Sequence, residues 1–260
     1  MLSATSILIV TLVAIFLILL FSFTNGFHDA SSIVATMIAC RAATPRGAVM
    51  LAALMVIIGA MIGGSAVAFT VESLVYLNAR SSFVYVLMVS VLAAVIWNFI
   101  TWKLGLPSSS TQALIGGLLG ATIVSQGLGG VYWGFDELLG PSHALVGIVK
   151  VVIFLLWSVI LGLTMGYLIQ KCARFLLRNA KRRTEESIKR AQWATASLLA
   201  FSYGANDSQK QMGIIVLVLL AGGYLATTDI PAWVRLICGA AMVVGIIGGG
   251  WRIMKTLGGK

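Results

Sequence analysis

Apolar runs near 6–24, 47–71, 83–102, 108–126, 146–170, 191–220 and 233–251 follow one another along the chain, separated by short polar or charged segments. Each approaches or exceeds the roughly 20 apolar residues with which a helix spans the hydrocarbon core of a bilayer. Backbone N–H and C=O groups in lipid must pair within their own segment, so the runs predict helices. The polar stretch Thr24-Asn25-Gly26-Phe27-His28-Asp29 follows the first run. A continuous helix over 6–41 would be on the order of 50 Å long, beyond the bilayer core, so the pattern predicts a break at 24–29. Residues 5–21 have no basic leader and run into this polar pattern, which makes them a span rather than a cleaved signal peptide.

Composition leads to the same class. Of 260 residues, 59% are hydrophobic and 10% charged, with 28 glycines. A soluble domain carries about 25% charged residues, so the main solvent of this chain is a bilayer. The net charge of +10 does not point to nucleic acid, because it is concentrated. Residues 171–190 hold eight of the 18 basic residues between two long apolar runs, the signature of a cytoplasmic loop under the positive-inside rule. Recognition of lipid headgroups is the alternative reading of that run. Counting spans from it places the N-terminus outside, together with Glu72–Arg80, 127–145 and Thr227–Pro231. Arg41, Arg46, Lys103, Arg252, Lys255 and Lys260 fall inside, giving 14 of the 18 basic residues on the cytoplasmic side. The expected location is the cell membrane, with several passes. Cys40, Cys172 and Cys238 have no metal-binding spacing and read as packing residues.

Phe23-Thr24-Asn25-Gly26-Phe27-His28-Asp29 aligns with Phe201-Ser202-Tyr203-Gly204-Ala205-Asn206-Asp207 at an offset of 178. Phe, Gly and Asp are shared. A fainter similarity relates Gly63–Val71 to Gly249–Leu257. The topology sends the first copy inward and the second outward, which predicts an inverted repeat with a substrate site near the midplane on discontinuous helices. The expected organisation is a first repeat over 1–170, a basic cytoplasmic loop over 171–190, and the start of a second repeat over 191–260.

An ionised Asp at membrane depth costs at least ~2.5 kcal/mol and normally faces a polar cavity. Asp29 and Asp207, with Asn25, Asn206 and freed backbone carbonyls, suit a hard cation or a proton relay; helix-capping acids at the membrane edge are the plainer reading. An anion needs hydroxyl and N–H donors. Gly105-Leu106-Pro107-Ser108-Ser109-Ser110-Thr111-Gln112 offers four successive hydroxyls before the apolar run Ala113–Val124, whose helical N-terminus attracts negative charge. A helix cap and turn would use the same residues. Lys210, three residues after Asp207, either neutralises that acid, contacts the anion, or does both. His28 is a candidate proton carrier, with donation to a backbone carbonyl as the alternative. No catalytic pairing or metal-ligating His/Cys cluster is apparent, so an enzyme is not expected, nor any cofactor or metal beyond the coupling cation.

Gly26-Phe27-His28-Asp29, Gly105-Leu106-Pro107-Ser108-Ser109-Ser110 and Gly204-Ala205-Asn206-Asp207-Ser208-Gln209-Lys210-Gln211-Met212-Gly213 together resemble the inorganic phosphate transporter (Pit) family, the bacterial low-affinity branch most of all. The resemblance implies an all-α polytopic membrane protein, an inverted-repeat secondary transporter with broken helices and a re-entrant serine-rich hairpin. It implies symport of phosphate, free or as a metal–phosphate complex, with sodium or protons. It implies that Asn25, Asp29, Asn206 and Asp207 bind the coupling cation, and that Ser108, Ser109, Ser110, Thr111, Gln209 and Lys210 approach phosphate. Homodimers also fit it.

Two positions depart from the family pattern. Ser32 stands where an Asn is usual, which weakens one cation ligand, and Gln112 stands where the serine loop commonly ends in a titratable His. A mirror partner of the serine hairpin is expected near residue 290, beyond Lys260. A truncated product, a half that pairs with another chain, or a shortened homologue would each account for that. A partner-dependent or non-transporting subunit, and a transporter of sulfate or arsenate, are therefore the competing functions.

Overall fold

The computed structural model describes residues 3–65, 68, 72–76, 80–141, 143–181, 184–250 and 253. Along them run α1 (Ala4–Ala39), α2 (Pro45–Ile62), α3 (Arg80–Leu104), α4 (Ser110–Gln126), α5 (Phe135–Leu139), α6 (Gly147–Leu176), α7 (Thr184–Ala221) and α8 (Ala232–Gly249). The connections contain two 3₁₀ turns, Glu72–Leu74 and Leu128–Gly130. Among the described residues there is no strand, only an isolated antiparallel bridge between Val75 and Val131. The apolar runs of the sequence thus become helices. α1, α2, α6, α8 and the Phe83–Leu104 part of α3 are long and apolar enough to cross a membrane. Their outer faces carry exposed Leu12, Phe16, Leu54, Val89, Ile96 and Trp157, a surface that water would not tolerate over such an area. The chain is an all-α polytopic membrane protein.

The first expectation to fail is the break in the first helix. α1 is continuous for 36 residues and α7 for 38, about 54 and 57 Å at 1.5 Å per residue. Hydroxyls in and beside the polar run bond back to the helix's own carbonyls, so they are satisfied without α1 opening. Ser22 Oγ donates to Ile18 O (3.2 Å), Thr24 Oγ1 to Phe21 O (2.9 Å) and Ser31 Oγ to His28 O (2.6 Å). Such back-bonding satisfies polar groups inside a helix without opening it. In α7, Ser208 Oγ likewise donates to Gly204 O. The excess length goes into the basic segment: α7 starts at Thr184, so most of 171–190 is helical, with Arg182 and Arg183 outside the described residues. α2 stops at Gly63, short of the expected 71. The segments Gly63–Val71 and Gly249–Leu257, and with them Arg252, Lys255 and Lys260, lie largely outside the described residues.

α1 and α7 run antiparallel. Trp193 Nε1 near the start of α7 donates to Ala42 O just past α1 (3.0 Å), while Gly222 at the far end of α7 lies beside Thr11. Each long helix then packs on the hairpin partner of the other, α1 on α8 and α7 on α2. The contacts recur at fixed offsets. A methyl group at Gly26 would strike Met242 O, and one at Gly245 would strike Phe23 O. Across the molecule, a methyl at Gly204 would strike Val56 O, and one at Gly59 would strike Phe201 O. Phe23 and Gly26 correspond to Phe201 and Gly204 at the offset of 178; Val56 and Gly59 correspond to Met242 and Gly245 at 186. Only glycine lets backbones approach this closely, and small residues drive helix pairing in lipid.

α3 and α4 form a separate antiparallel hairpin against α1. Its five-residue tip, 105–109, is directed at the polar part of α1. α6 leaves the bundle after its first turn, and only Gly147, Ile148 and Val149 of it are buried.

Candidate functional site

Polar side chains of α1, α7 and the α3–α4 tip converge on one cavity of about 360 Å³. α1 supplies Asn25, His28, Asp29 and Ser32, which repeat every three or four residues and so share one helix face. α7 supplies Tyr203 and Asp207, four residues apart. The tip supplies Pro107, Ser108, Ser109, Ser110 and Thr111. Asp29 and Asp207 therefore face the same space, as their matched positions predict.

The two acids differ in their surroundings. Asp29 is 6% exposed, and its Oδ2 is buried with no hydrogen-bond partner. Asp207 is paired: Lys210 Nζ lies 2.5 Å from its Oδ1 and donates to Thr111 Oγ1 at 2.6 Å. Both proposed roles of Lys210 thus start from one position, in which it neutralises Asp207 and ties α7 to the start of α4. A buried carboxylate without a partner is costly and is retained where something else supplies the missing contact.

The hydroxyl run divides its tasks. Ser109 is the N-cap of α4, its side chain accepting from Gln112 N (3.4 Å). Ser108 Oγ accepts from Trp97 Nε1 (2.9 Å), and Thr111 accepts from Lys210. Ser110 Oγ is buried and has no partner. The amides at the N-terminal turn of α4 border the same cavity, and with the helix dipole they favour an anion there. The site holds an unpartnered carboxyl oxygen at one wall and the unpartnered Ser110 hydroxyl at the other, which is chemistry for a cation and an oxyanion side by side.

His28 is held from α3. Its Nε2 lies 3.2 Å from Asn98 O and 3.4 Å from Thr101 Oγ1. A carbonyl can only accept, so Nε2 donates to it, and Nδ1 is buried without a partner. The carbonyl contact expected as the plainer role exists, and it leaves the other nitrogen available. Asn98 Nδ2 also donates to Thr24 Oγ1 (3.1 Å).

Three expected residues do not line the cavity: Asn206, Gln209 and Lys210, the last reaching its wall only through Asp207 and Thr111. Asn206 is exposed: α3 covers the matching flank of α1 at His28, whereas no described element covers that flank of α7. Gln209 is buried but does not line the cavity. Gln112, where a titratable residue was missing, is exposed. Ser32, the other departure, does line it. Tyr203, Asn98, Thr101 and Trp97 were not singled out from the sequence. Asn98 and Thr101, polar and three apart within an apolar run, carried a readable signal.

Comparison with known proteins places this geometry in a family. The phosphate transporter family profile matches residues 25–184 and 177–260. The chain is 38% identical over 255 residues to the probable low-affinity inorganic phosphate transporter of Mycobacterium tuberculosis (strain CDC 1551 / Oshkosh), covering 96% of this chain and 58% of that protein. It is 34% identical over 255 residues to the protein of the same description from Bacillus subtilis (strain 168), covering 97% of this chain and 73% of the relative. To the low-affinity inorganic phosphate transporter PitA of Escherichia coli (strain K12) it is 34% identical over 232 residues, 80% of this chain and 45% of the relative. A solved structure described as the sodium-dependent phosphate transporter superposes with a TM-score of 0.71 at 24% identity, over 96% of this chain and 78% of that one, a likeness of fold. The chain spans only 58% of the mycobacterial relative's length. With profile matches over most of its length, and with the acids and hydroxyls of the motifs gathered around one cavity, this chain belongs to the phosphate transporter family.

Proposed function

We propose that the chain binds inorganic phosphate and a coupling cation in the cavity between α1, α7 and the α3–α4 tip, and serves symport of phosphate across the cell membrane down a proton or sodium gradient. The observation that carries this is the juxtaposition of the unpartnered Asp29 carboxylate with the Ser108–Thr111 donors. The relatives' descriptions as low-affinity inorganic phosphate transporters support phosphate as the anion. In this reading Asn25, Asp29 and Asp207 face the cation. Ser110, Thr111, the first amides of α4 and Lys210 meet the phosphate oxygens, and Ser108 and Ser109 hold the tip in shape. His28 Nδ1 is the proton acceptor if protons are the coupling ion. Asn206 joins only through a further element on its exposed flank of α7, and Gln209 reaches phosphate only by turning from its buried position. The matched glycine contacts and the antiparallel α1 and α7 favour an inverted repeat, with the α3–α4 hairpin entering from the outer face. The N-terminus is then outside and the 171–190 segment cytoplasmic.

Uptake of radiolabelled phosphate into liposomes containing the purified chain tests the reading. Uptake is expected under a sodium or a proton gradient and not without one; background uptake under both gradients rejects autonomous transport. A second reading is a half-transporter that needs a partner chain or a second copy. It is favoured by the exposed flank of α7 and by α6, which is bare beyond its first turn. Phosphate binding by the chain without uptake would select it. Competition by sulfate and arsenate against labelled phosphate separates the oxyanions.

A further inference from the structure

A second cavity, of about 400 Å³, adjoins the first. It lies at the end of the bundle away from the Trp193–Ala42 contact, where the 72–76 and 127–146 connections cross. Thr111 lines both cavities, and Lys210, whose partner Asp207 lines the inner one, lines the outer. The Thr111–Lys210–Asp207 bridge is therefore the partition between the two chambers. Walls of the outer chamber come from apolar side chains of α4 and α6, with Ser73 and Tyr132 beside them, and a second ammonium, Lys150, stands at its rim. No carboxylate is among its described lining residues. Glu72 directly precedes the lining residue Ser73 in sequence, and Glu137 accepts the Tyr132 hydroxyl at 2.7 Å.

Lys150 is in an electrostatically adverse place. It occupies the first turn of α6, a turn with no acid, where the helix dipole presents its positive end. The first amides there are already used, Ile148 N donating to Tyr132 O (2.9 Å) and Val149 N to Trp133 O (3.0 Å). Lys210 is neutralised by Asp207 from the far side of the partition, whereas Lys150 has no such counterion among the described residues. Apolar walls strengthen the resulting positive field within the chamber. A mobile anion would relieve both the dipole and the charge.

We propose that the outer chamber is a second oxyanion site, at which Lys150 captures phosphate before the ammonium of Lys210 passes it to the inner cavity. Transfer requires only that the Lys210 ammonium exchange Asp207 and Thr111 for the arriving oxyanion, which opens the partition and frees Asp207 at the same moment. The order of events follows from the geometry: the anion enters first, and the second carboxylate becomes available to a cation afterwards. This rests on the phosphate reading of the inner cavity. The phosphate of an anionic lipid headgroup has the same chemistry as the free ion, so the test must separate the two.

The full chain in nanodiscs of phosphatidylcholine is treated with an amine-acylating reagent, and modification of Lys150 is followed by peptide mass spectrometry as inorganic phosphate is titrated against gluconate at constant ionic strength. Phosphate is expected to slow Lys150 acylation several-fold in a saturable manner, gluconate not at all. Lys150→Gln should raise the half-saturation for radiolabelled phosphate binding several-fold at low ionic strength and much less at high, with recovery in Lys150→Arg. Unchanged Lys150 acylation, while phosphate still binds and Ser110→Ala still weakens it, overturns the outer site and leaves the inner one standing. Protection by added phosphatidylglycerol with no further effect of phosphate also overturns it, in favour of a lipid site. Absence of phosphate binding to the chain under every condition removes both the outer site and the reading it rests on.

Discussion

The two motif-bearing stretches, Asn25–Ser32 on α1 and Tyr203–Lys210 on α7, match in sequence, face one cavity, and yet differ in charge balance. Asp29 ends in an unpartnered oxygen, whereas Asp207 is bound by Lys210. The residue that corresponds to Lys210 at the offset of 178 is Ser32. One substitution in one copy thus separates an open carboxylate from a closed one. Matched position in the two motifs sets where the acids stand; the neighbour three residues on sets what each can do.

The comparison breaks most severely at Asp29. Asp29→Asn is expected to insert normally and reduce gradient-driven phosphate uptake to the background of empty vesicles; wild-type uptake would remove the cation from this side of the cavity. Asp207→Asn should also reduce coupled uptake and, unlike Asp29→Asn, should cost stability, because it strands the Lys210 ammonium. Breaking such a pair costs about 3–5 kcal/mol, so thermal unfolding in detergent should show a clear drop, largely recovered in Asp207→Asn/Lys210→Met. Asp29→Asn removes no pair and should not show that drop; equal losses in both acids would erase the distinction drawn between them.

Smaller effects are expected at the tip. Ser110→Ala should raise the phosphate half-saturation about tenfold, the equivalent of one hydrogen bond to a charged group. Ser109→Ala should instead cost about 1 kcal/mol of stability through loss of the α4 cap, with a lesser change in half-saturation. The reverse order would move the anion from Ser110 to Ser109. The mildest expected change is Ser32→Asn, which adds an amide oxygen beside Asp29 and should tighten the coupling cation a few-fold, read from the cation dependence of uptake.

Much of this was legible in the sequence because it depends on spacing and hydropathy. The apolar runs became helices, and the matched acids met. The continuity of α1 was not legible: a polar run looks like a break to any count of apolar residues, and the back-bonds that satisfy Ser22, Thr24 and Ser31 inside the helix are invisible to that count. Asn206 was misplaced for a different reason. Its counterpart His28 is brought to the cavity under α3, and a motif does not say which neighbour covers its flank. The pairing of Lys210 with Thr111, 99 residues earlier, could not be read from either motif alone.

The glycine contacts have a consequence for biosynthesis. Gly26 seats on Met242 and Gly245, residues that leave the ribosome more than 200 positions later. At about 5–20 residues per second, α1 therefore waits on the order of ten to forty seconds in the membrane before α8 arrives. During that interval its polar face, Asp29 included, has no permanent cover, and α2 stands equally exposed until α7 is made. The crossed pairing that builds the cavity makes this a late-closing protein. Provisional cover of α1 comes from α3, which is made much earlier and grips His28 through Asn98.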